Sequence, residues 1–438
     1  MTIDPISGDV KFIKVSKTDY RVVKHIHSAI VLFGRGTHVF IVKGPDGRLQ
    51  ILKDAWVLVG HGLSETTVLE TIRSVLEKDL SSDGQKFKKV YTCFVVGEDI
   101  GSTKARRGYM AHQPPERQHR RVVTGPVGDP LTSFRSREEF VKVILDSVEW
   151  LEYLHKKCKI VHGDLSIPNI VIFRLPSAHP PRRQVISKKG ASTSSKPNTT
   201  AQAIQPAPIT GVDDTIPVIG VVIDYDYARK VGTLMDRTSG TLPFMPLAAL
   251  DKKNLGKFTH SPNDDLESLL QTVLAVVCFT AGPYGKPRLA DDHIPTARWF
   301  NETDREQLFK DKSIDLINYE TEIEAHITEY WQPFVPYLRR LAALTWPTAN
   351  CRIGPSKASH EEFKVILKEA LQALKKHKET PANYAIVTPV TRKRGPLSKA
   401  ELGRYPYALK FSRGEDSARI PRFVEIKHLS AWKDSINA

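Results

Sequence analysis

From Ala29 to Lys53 short apolar runs alternate with turn residues. Ala29–Phe33 is apolar, Gly34-Arg35-Gly36 interrupts it, Val39–Val42 resumes, and Pro45-Asp46-Gly47 precedes Leu49–Lys53. Such runs bounded by Gly, Pro and Asp predict three short strands with a hairpin turn. The period then changes. Val68, Leu69, Ile72, Val75 and Leu76 recur at helical spacing behind a capping Ser64, which predicts a helix over 64–80. A strand signal returns at Tyr91–Val96, a polar loop at Arg106–His119, and a short strand running into a Gly/Pro connector at Arg121–Pro130. Phe140, Ile144, Val148, Leu151 and Leu154 form one stripe, with Ser136 and Glu139 at capping-box spacing, so a helix is expected from Arg137 to about Lys156. Val218–Tyr227 reads as a buried strand of the parallel type. After Pro262 the pattern is helical, most clearly at Leu266–Phe279, Phe334–Thr345 and Ser359–Lys375. Residues 1–28 carry no clear signal and no internal repeat is present.

Composition changes this picture in two places. Residues 176–217 are rich in Pro, Ser, Thr, Ala and Lys, cannot bury enough apolar surface to fold, and are expected to be a disordered insertion. Residues 376–438 read as a basic tail with isolated strand-like pieces at Tyr384–Thr388 and Phe423–Ile426. The 438 residues are 40% hydrophobic and 26% charged, ordinary for a globular chain with a sizeable core. The net charge of +15 lies largely in linkers and tails, including 180–196 and Thr391–Arg394, so nucleic acid is not an expected partner. Thr391-Arg392-Lys393-Arg394 is short enough to be either an import signal or a solvated run. Cys93, Cys158, Cys278 and Cys351 show no C-x-x-C spacing, which argues against a zinc site and a disulfide framework. With no apolar leader at residues 1–10 and no apolar run longer than Leu269–Ala281, an intracellular chain of cytoplasm or nucleus, away from membranes, is expected.

Chemistry concentrates in the loop between Val161 and Ile170. It carries His162, Asp164 and, five residues on, Asn169. A carboxylate base beside a metal-binding carboxamide is one plan for moving a phosphoryl group to a hydroxyl. Alone, the same spacing also suits a solvated surface loop. Asp224 ends the strand Val221-Val222-Ile223, where a ligand-facing acid would hold magnesium on the nucleotide phosphates opposite Asn169. Lys53 closes a strand behind a glycine turn, where an ammonium can meet phosphate oxygens if a carboxylate orients it. Glu65 fits that role, with Glu70 as the second choice, because Val68 and Leu69 fix the helical face. Gly34 and Gly36 would let backbone amides approach phosphates.

Taken in order, Gly34-x-Gly36, Lys53, Glu65, His162-Gly163-Asp164 with Asn169, Asp224, Gly240-Thr241 and Asp265 resemble the protein kinase superfamily. Within it the chain looks most like the fungal-type protein kinase family. The carrying stretches are Leu52–Trp56, Val127–Leu131, His162–Ile170, Ile223–Ala228, Ser239–Met245 and Asp264–Leu269, within residues 29–375. The resemblance implies an α+β, bilobal kinase fold: a small β-rich lobe with one helix over 29–121, and a larger, mostly helical lobe over 122–375. Residues 1–28 would be an N-terminal extension. It implies ATP and magnesium as cofactors and a protein Ser/Thr hydroxyl as acceptor. Asp164 would be the catalytic base, Asn169 and Asp224 the magnesium ligands, and Lys53 the α/β-phosphate contact paired with Glu65. His162 and Asp265 would be structural, Asp265 bracing the catalytic loop, and Thr241 would sit in the substrate-facing loop. The 122–128 segment would meet adenine.

Departures from the pattern stand beside it. Gly163 replaces the usual Arg, Ser166 the usual Lys, Val39 the third phosphate-loop glycine and Asp226 the usual glycine after the metal-binding acid. Ala248 stands where a Glu normally ends the activation segment, which leaves Arg352 without its usual carboxylate. Loss of the Arg argues against control by loop phosphorylation. A catalytically weak pseudokinase acting as a scaffold, or a kinase of a small-molecule hydroxyl, are the competing readings; Gly240-Thr241 favours a protein substrate.

Overall fold

The computed structural model describes residues 1–3, 8–28, 36–59, 63–91, 94–107, 115–174, 217–234, 240–254, 256–288, 294, 296–376 and 379. The expected strand 29–33, most of the 176–217 insertion, and nearly all of the 376–438 tail lie outside these residues.

Alternate residues of the first strands point into one apolar cluster. β1 (Thr2–Ile3), β2 (Val10–Val15), β3 (Thr18–Ser28), β4 (His38–Lys43) and β5 (Leu49–Leu58) follow one another along the chain. Ile13, Val15, Tyr20, Phe40, Val42 and Leu52 pack together with Val123. Residues 2–28, which carry no clear sequence signal, thus add three strands. Bulges in β3 at Val22/Lys24 and His25/His27 break the period-two alternation that would have revealed it. β5 runs five residues beyond Lys53. The charges at Lys53-Asp54 look like a strand end, but Asp54 is opposite Arg121 in register and accepts from its Nε at 2.8 Å.

Next come α1 (Glu65–Lys78), α2 (Ser82–Tyr91), β6 (Phe94–Ser102), α3 (Thr103–Arg107) and β7 (Arg117–Thr124). Among the described residues of this part there are thus three helices, rather than the single expected one. α2 is short and mostly polar, its apolar residues being only Phe87, Val90 and Tyr91. Its buried Phe87 packs on Trp150 and Tyr153, with ring centres 5.1 Å away in each case. The seven strands are antiparallel in the order β1-β2-β3-β4-β5-β7-β6, and β2 also meets β6 and β7, so the sheet curls.

β8 (Asp129–Pro130), α4 (Arg137–Tyr153), β9 (Ile160–Val161), β10 (Ile170–Arg174), β11 (Val218–Val222) and β12 (Arg229–Lys230) then bring the candidate residues together. β11 pairs antiparallel with β10, Ile170 opposite Val222, which corrects the parallel-type reading. β11 is apolar throughout because α4 covers it. The Val143 carbonyl would lie 2.3 Å from any Cβ at position 220, so only Gly220 permits that approach. The helical remainder is α5 (Leu247–Leu250), α6 (Pro262–Phe279), α7 (Ala297–Asn301), α8 (Arg305–Ile317), α9 (Tyr319–Glu322) and α10 (Val335–Thr345). β13 (Thr348–Ala349), β14 (Arg352–Ile353) and α11 (His360–Lys376) complete it. Every residue of α6 from Asp264 to Cys278 is buried. One large core joins Val68 of α1, through α4 and α6, to Leu374 of α11. Among the described residues no helix is long and apolar enough to cross a membrane.

Gly220→Ala should destabilise the fold by roughly 3 kcal/mol, because a methyl there meets backbone and not a movable side chain. Gly101→Ala, with nothing within 4 Å, should shift stability by under about 0.5 kcal/mol. Urea unfolding of both variants measures the contrast.

Candidate active site

β9 and β10 are too short to fix the loop between them, so its geometry comes from side chains. The Asp265 carboxylate, buried in the first turns of α6, accepts from the amides of His162 (2.7 Å) and Gly163 (2.9 Å). It also accepts from His260 Nε2 at 2.9 Å. Burial pushes the Asp265 carboxyl up, but the His260 charge and these bonds outweigh it and hold it below the usual range. Burial pulls His260 down, yet Asp265 and Asp264 more than reverse that and raise it. His162 serves the same loop differently. Its Nδ1 accepts from the Asp164 amide at 3.3 Å and its Nε2–H donates to the Ile223 carbonyl at 3.1 Å. That is the neutral tautomer, and burial keeps the ring below the ordinary histidine value. The Ile223 amide in turn donates to the Asn169 carbonyl at 2.9 Å. The loop is thereby stitched both to α6 and to the chain after β11.

Asp164 and Asn169 meet on this loop. Asn169 Nδ2 donates to the Asp164 carbonyl at 2.8 Å, which spends the amide nitrogen and leaves the oxygen to face a cation. Asp164 Oδ1 accepts from the Thr241 amide at 2.7 Å, so the predicted substrate-facing residue lies directly on the predicted base.

Lys53 lies at the other side of the constellation. Its Nζ donates to Asp224 (2.7 Å), Asp226 (2.7 Å) and Glu65 (3.3 Å). Glu65, rather than Glu70, is the carboxylate brought to it. Ser64 caps α1 by accepting from the Thr67 amide at 3.0 Å, which sets Glu65 in the first turn, and Glu65 Oε1 also accepts from the Tyr225 amide at 3.2 Å. One ammonium among three carboxyl groups leaves an excess of negative charge. Burial pulls the Lys53 ammonium down, but the three acids overwhelm it and hold it well above its ordinary value. Burial raises Glu65 to about 8 against the pull of Lys53, and Asp226 and Asp224 push the same way. Glu65, Asp224 and Asp226 place carboxylate oxygens within 4.8 Å of one another, a donor set that suits a hard cation. Asp226 was visible in sequence only as a missing glycine; its place on Lys53 depends on the left-handed turn at Asp224, φ +68°.

Two departures acquire physical reasons. Gly163 has φ +77°, and a Cβ there would lie 2.8 Å from the Tyr227 carbonyl, so an Arg does not fit this loop path. Ser166 is buried, and its Oγ has no hydrogen-bond partner among the described residues. Gly36 stands in a left-handed conformation before β4, while Gly34 lies outside the described residues.

Residues 77–278 match the family model described as fungal protein kinase. The matched segment includes Asp164, Asn169, Asp224, Thr241 and Asp265; Lys53 and Glu65 precede it. None of the curated proteins compared matches the chain. The match supports kinase-type phosphotransferase activity in general.

His260 gives the site a pH signature. Its folded value is raised, so its contribution to stability is complete below the unfolded value near 6.5 and is lost as pH rises through the folded one. The melting-temperature difference between wild type and His260→Gln should therefore be largest near pH 6 and shrink toward pH 9. A difference that grows over that range would contradict the assignment.

Proposed function

We propose that this chain, assigned by that match to the fungal protein kinase family, transfers the γ-phosphoryl group of ATP to Ser or Thr hydroxyls of a protein, with magnesium as the metal. The observation that carries the reading is the contact of Asp164 with Thr241, beside Asn169 on one braced loop. The acceptor oxygen attacks the γ-phosphorus, the bond to the bridging oxygen breaks, and ADP leaves with the electron pair. Asp164 orients the hydroxyl and takes its proton. Asn169 and Asp224 would hold magnesium, which neutralises phosphate charge when bound. Lys53 meets the α/β-phosphates while Glu65 orients it. In this reading the curled sheet with α1 is the small lobe that covers ATP, and the helical region is the large one. Gly163 supports activity without loop phosphorylation, because the Arg that would read the phosphate is replaced.

Asp226 favours one refinement. All three hydrogens of the Lys53 ammonium are already directed at carboxylates, so phosphate and Asp226 compete for the same donor. A pseudokinase would use the same arrangement to exclude nucleotide.

Asp164→Asn should abolish label transfer from ATP to a generic basic protein while leaving ATP-induced thermal stabilisation near normal. Equal transfer by the variant would remove Asp164 from the role of base. Asp226→Asn should strengthen metal-free ATP binding by about tenfold, the effect of removing an excess negative charge at short range. Titration calorimetry in chelator reads it. No thermal shift with ATP in wild type, with or without magnesium, would favour the pseudokinase.

A further inference from the structure

Below the segment that carries Thr241, the interior holds a second charged group that phosphoryl transfer chemistry does not use. Lys312 of α8 is fully buried. Its Nζ donates to the Met245 carbonyl at 2.7 Å and to Gln271 Oε1 at 2.8 Å, and lies 5.2 Å from the centre of the Trp299 ring. Trp299 is itself fixed by donating from Nε1 to the buried Asp315 at 2.7 Å. Glu267 of α6, also buried, accepts from the Leu247 amide at 2.8 Å and from Gln271 Nε2 at 3.0 Å. Gln271 therefore bridges cation and anion, and each charge also grips one backbone group of the chain between Thr241 and Leu250. Burial pulls the Lys312 ammonium down and pushes the Glu267 carboxyl up, each opposed by the other's charge. A buried ion pair is a poor source of net stability, since desolvation offsets most of its attraction. Its cost has to be justified by the geometry it imposes.

That geometry is the register of the substrate-facing segment. Met245 is four residues from Thr241, whose amide lies on Asp164. Ala248 lacks the carboxylate expected at the end of this segment, and Arg352 is exposed in β14. We infer that Lys312 and Glu267, bridged by Gln271, are positioning residues that anchor the Thr241–Leu250 segment and so hold its protein acceptor against Asp164. The inference rests on the kinase reading for its substrate but not for the anchor itself.

The test uses the full chain and the double variant Lys312→Met/Glu267→Gln, which removes both charges and leaves neither unpaired. Deuterium exchange without ligand should show the amides of residues 241–250 opening about tenfold faster while exchange in α4 is unchanged. Label transfer to a generic basic protein should lose about tenfold or more in kcat/KM for that protein, with KM for ATP unchanged. If the double variant does not fold, Gln271→Met carries the test, with a several-fold effect in the same two readouts. Unchanged exchange at 241–250 overturns the anchor. Faster exchange with unchanged transfer overturns the positioning role. Wild-type protein without transfer sinks the kinase reading and the positioning role together, and exchange then decides the anchor alone.

Discussion

A single buried carboxylate, that of Asp265, holds the loop of Asp164 and Asn169 to the buried helix α6. It receives two successive backbone amides of the loop between β9 and β10 and the ring N–H of His260. Each donor left unsatisfied in the interior would cost roughly 1–3 kcal/mol, so the loop has few alternative paths once α6 is in place. The carboxylate stands near the start of that helix, where the positive end of the backbone dipole favours an anion. Ser261 and Asp264 close the helix start, the Ser261 amide donating to Asp264 at 2.6 Å. The deeply buried helix α6 thus supplies the charge that shapes the loop carrying Asp164 and Asn169.

From this brace, order propagates through hydrogen bonds rather than through sheet pairing. His162 and Asn169 tie the loop to the backbone after β11, and the left-handed turn at Asp224 then delivers Asp224 and Asp226 to Lys53. The excess of negative charge there is unfavourable for the empty protein and favourable for a cation or a cation-bearing nucleotide. Burial magnifies both effects, because charges screened by little water interact at short range.

The replaced residues make sense as a set. Gly163 follows from the close approach of the Tyr227 carbonyl, and Ser166 from a position enclosed by the core. Ala248 lies in a segment whose Met245 carbonyl accepts from Lys312 and whose Leu247 amide donates to Glu267. Positions 163 and 166 lack the positive charge that the resemblance leads one to expect, and position 248 lacks a negative one. Asp226 adds negative charge where glycine is usual.

The helices with an apolar stripe or run were legible from the chain alone: α1 with its Ser64 cap, α4 with Ser136, the apolar α6, α10 and α11 all lie where the pattern places them. The order of Lys53, Glu65, Asp164, Asn169 and Asp224 was also legible, because residue types at fixed spacing survive without knowledge of the fold. Beyond its reach were strands whose bulges erase alternation, as in β3, and a short, mostly polar helix that packs on α4 through Phe87 and Lys86, as in α2. Pairing partners were likewise hidden. That Asp226 reaches Lys53 and that Lys312 reaches Met245 depends on contacts between residues 173 and 67 positions apart in the chain. Local sequence determines which segments bury a face, since that is a property of one segment. Which buried charge meets which backbone group is decided only when the segments pack, since that is a property of two.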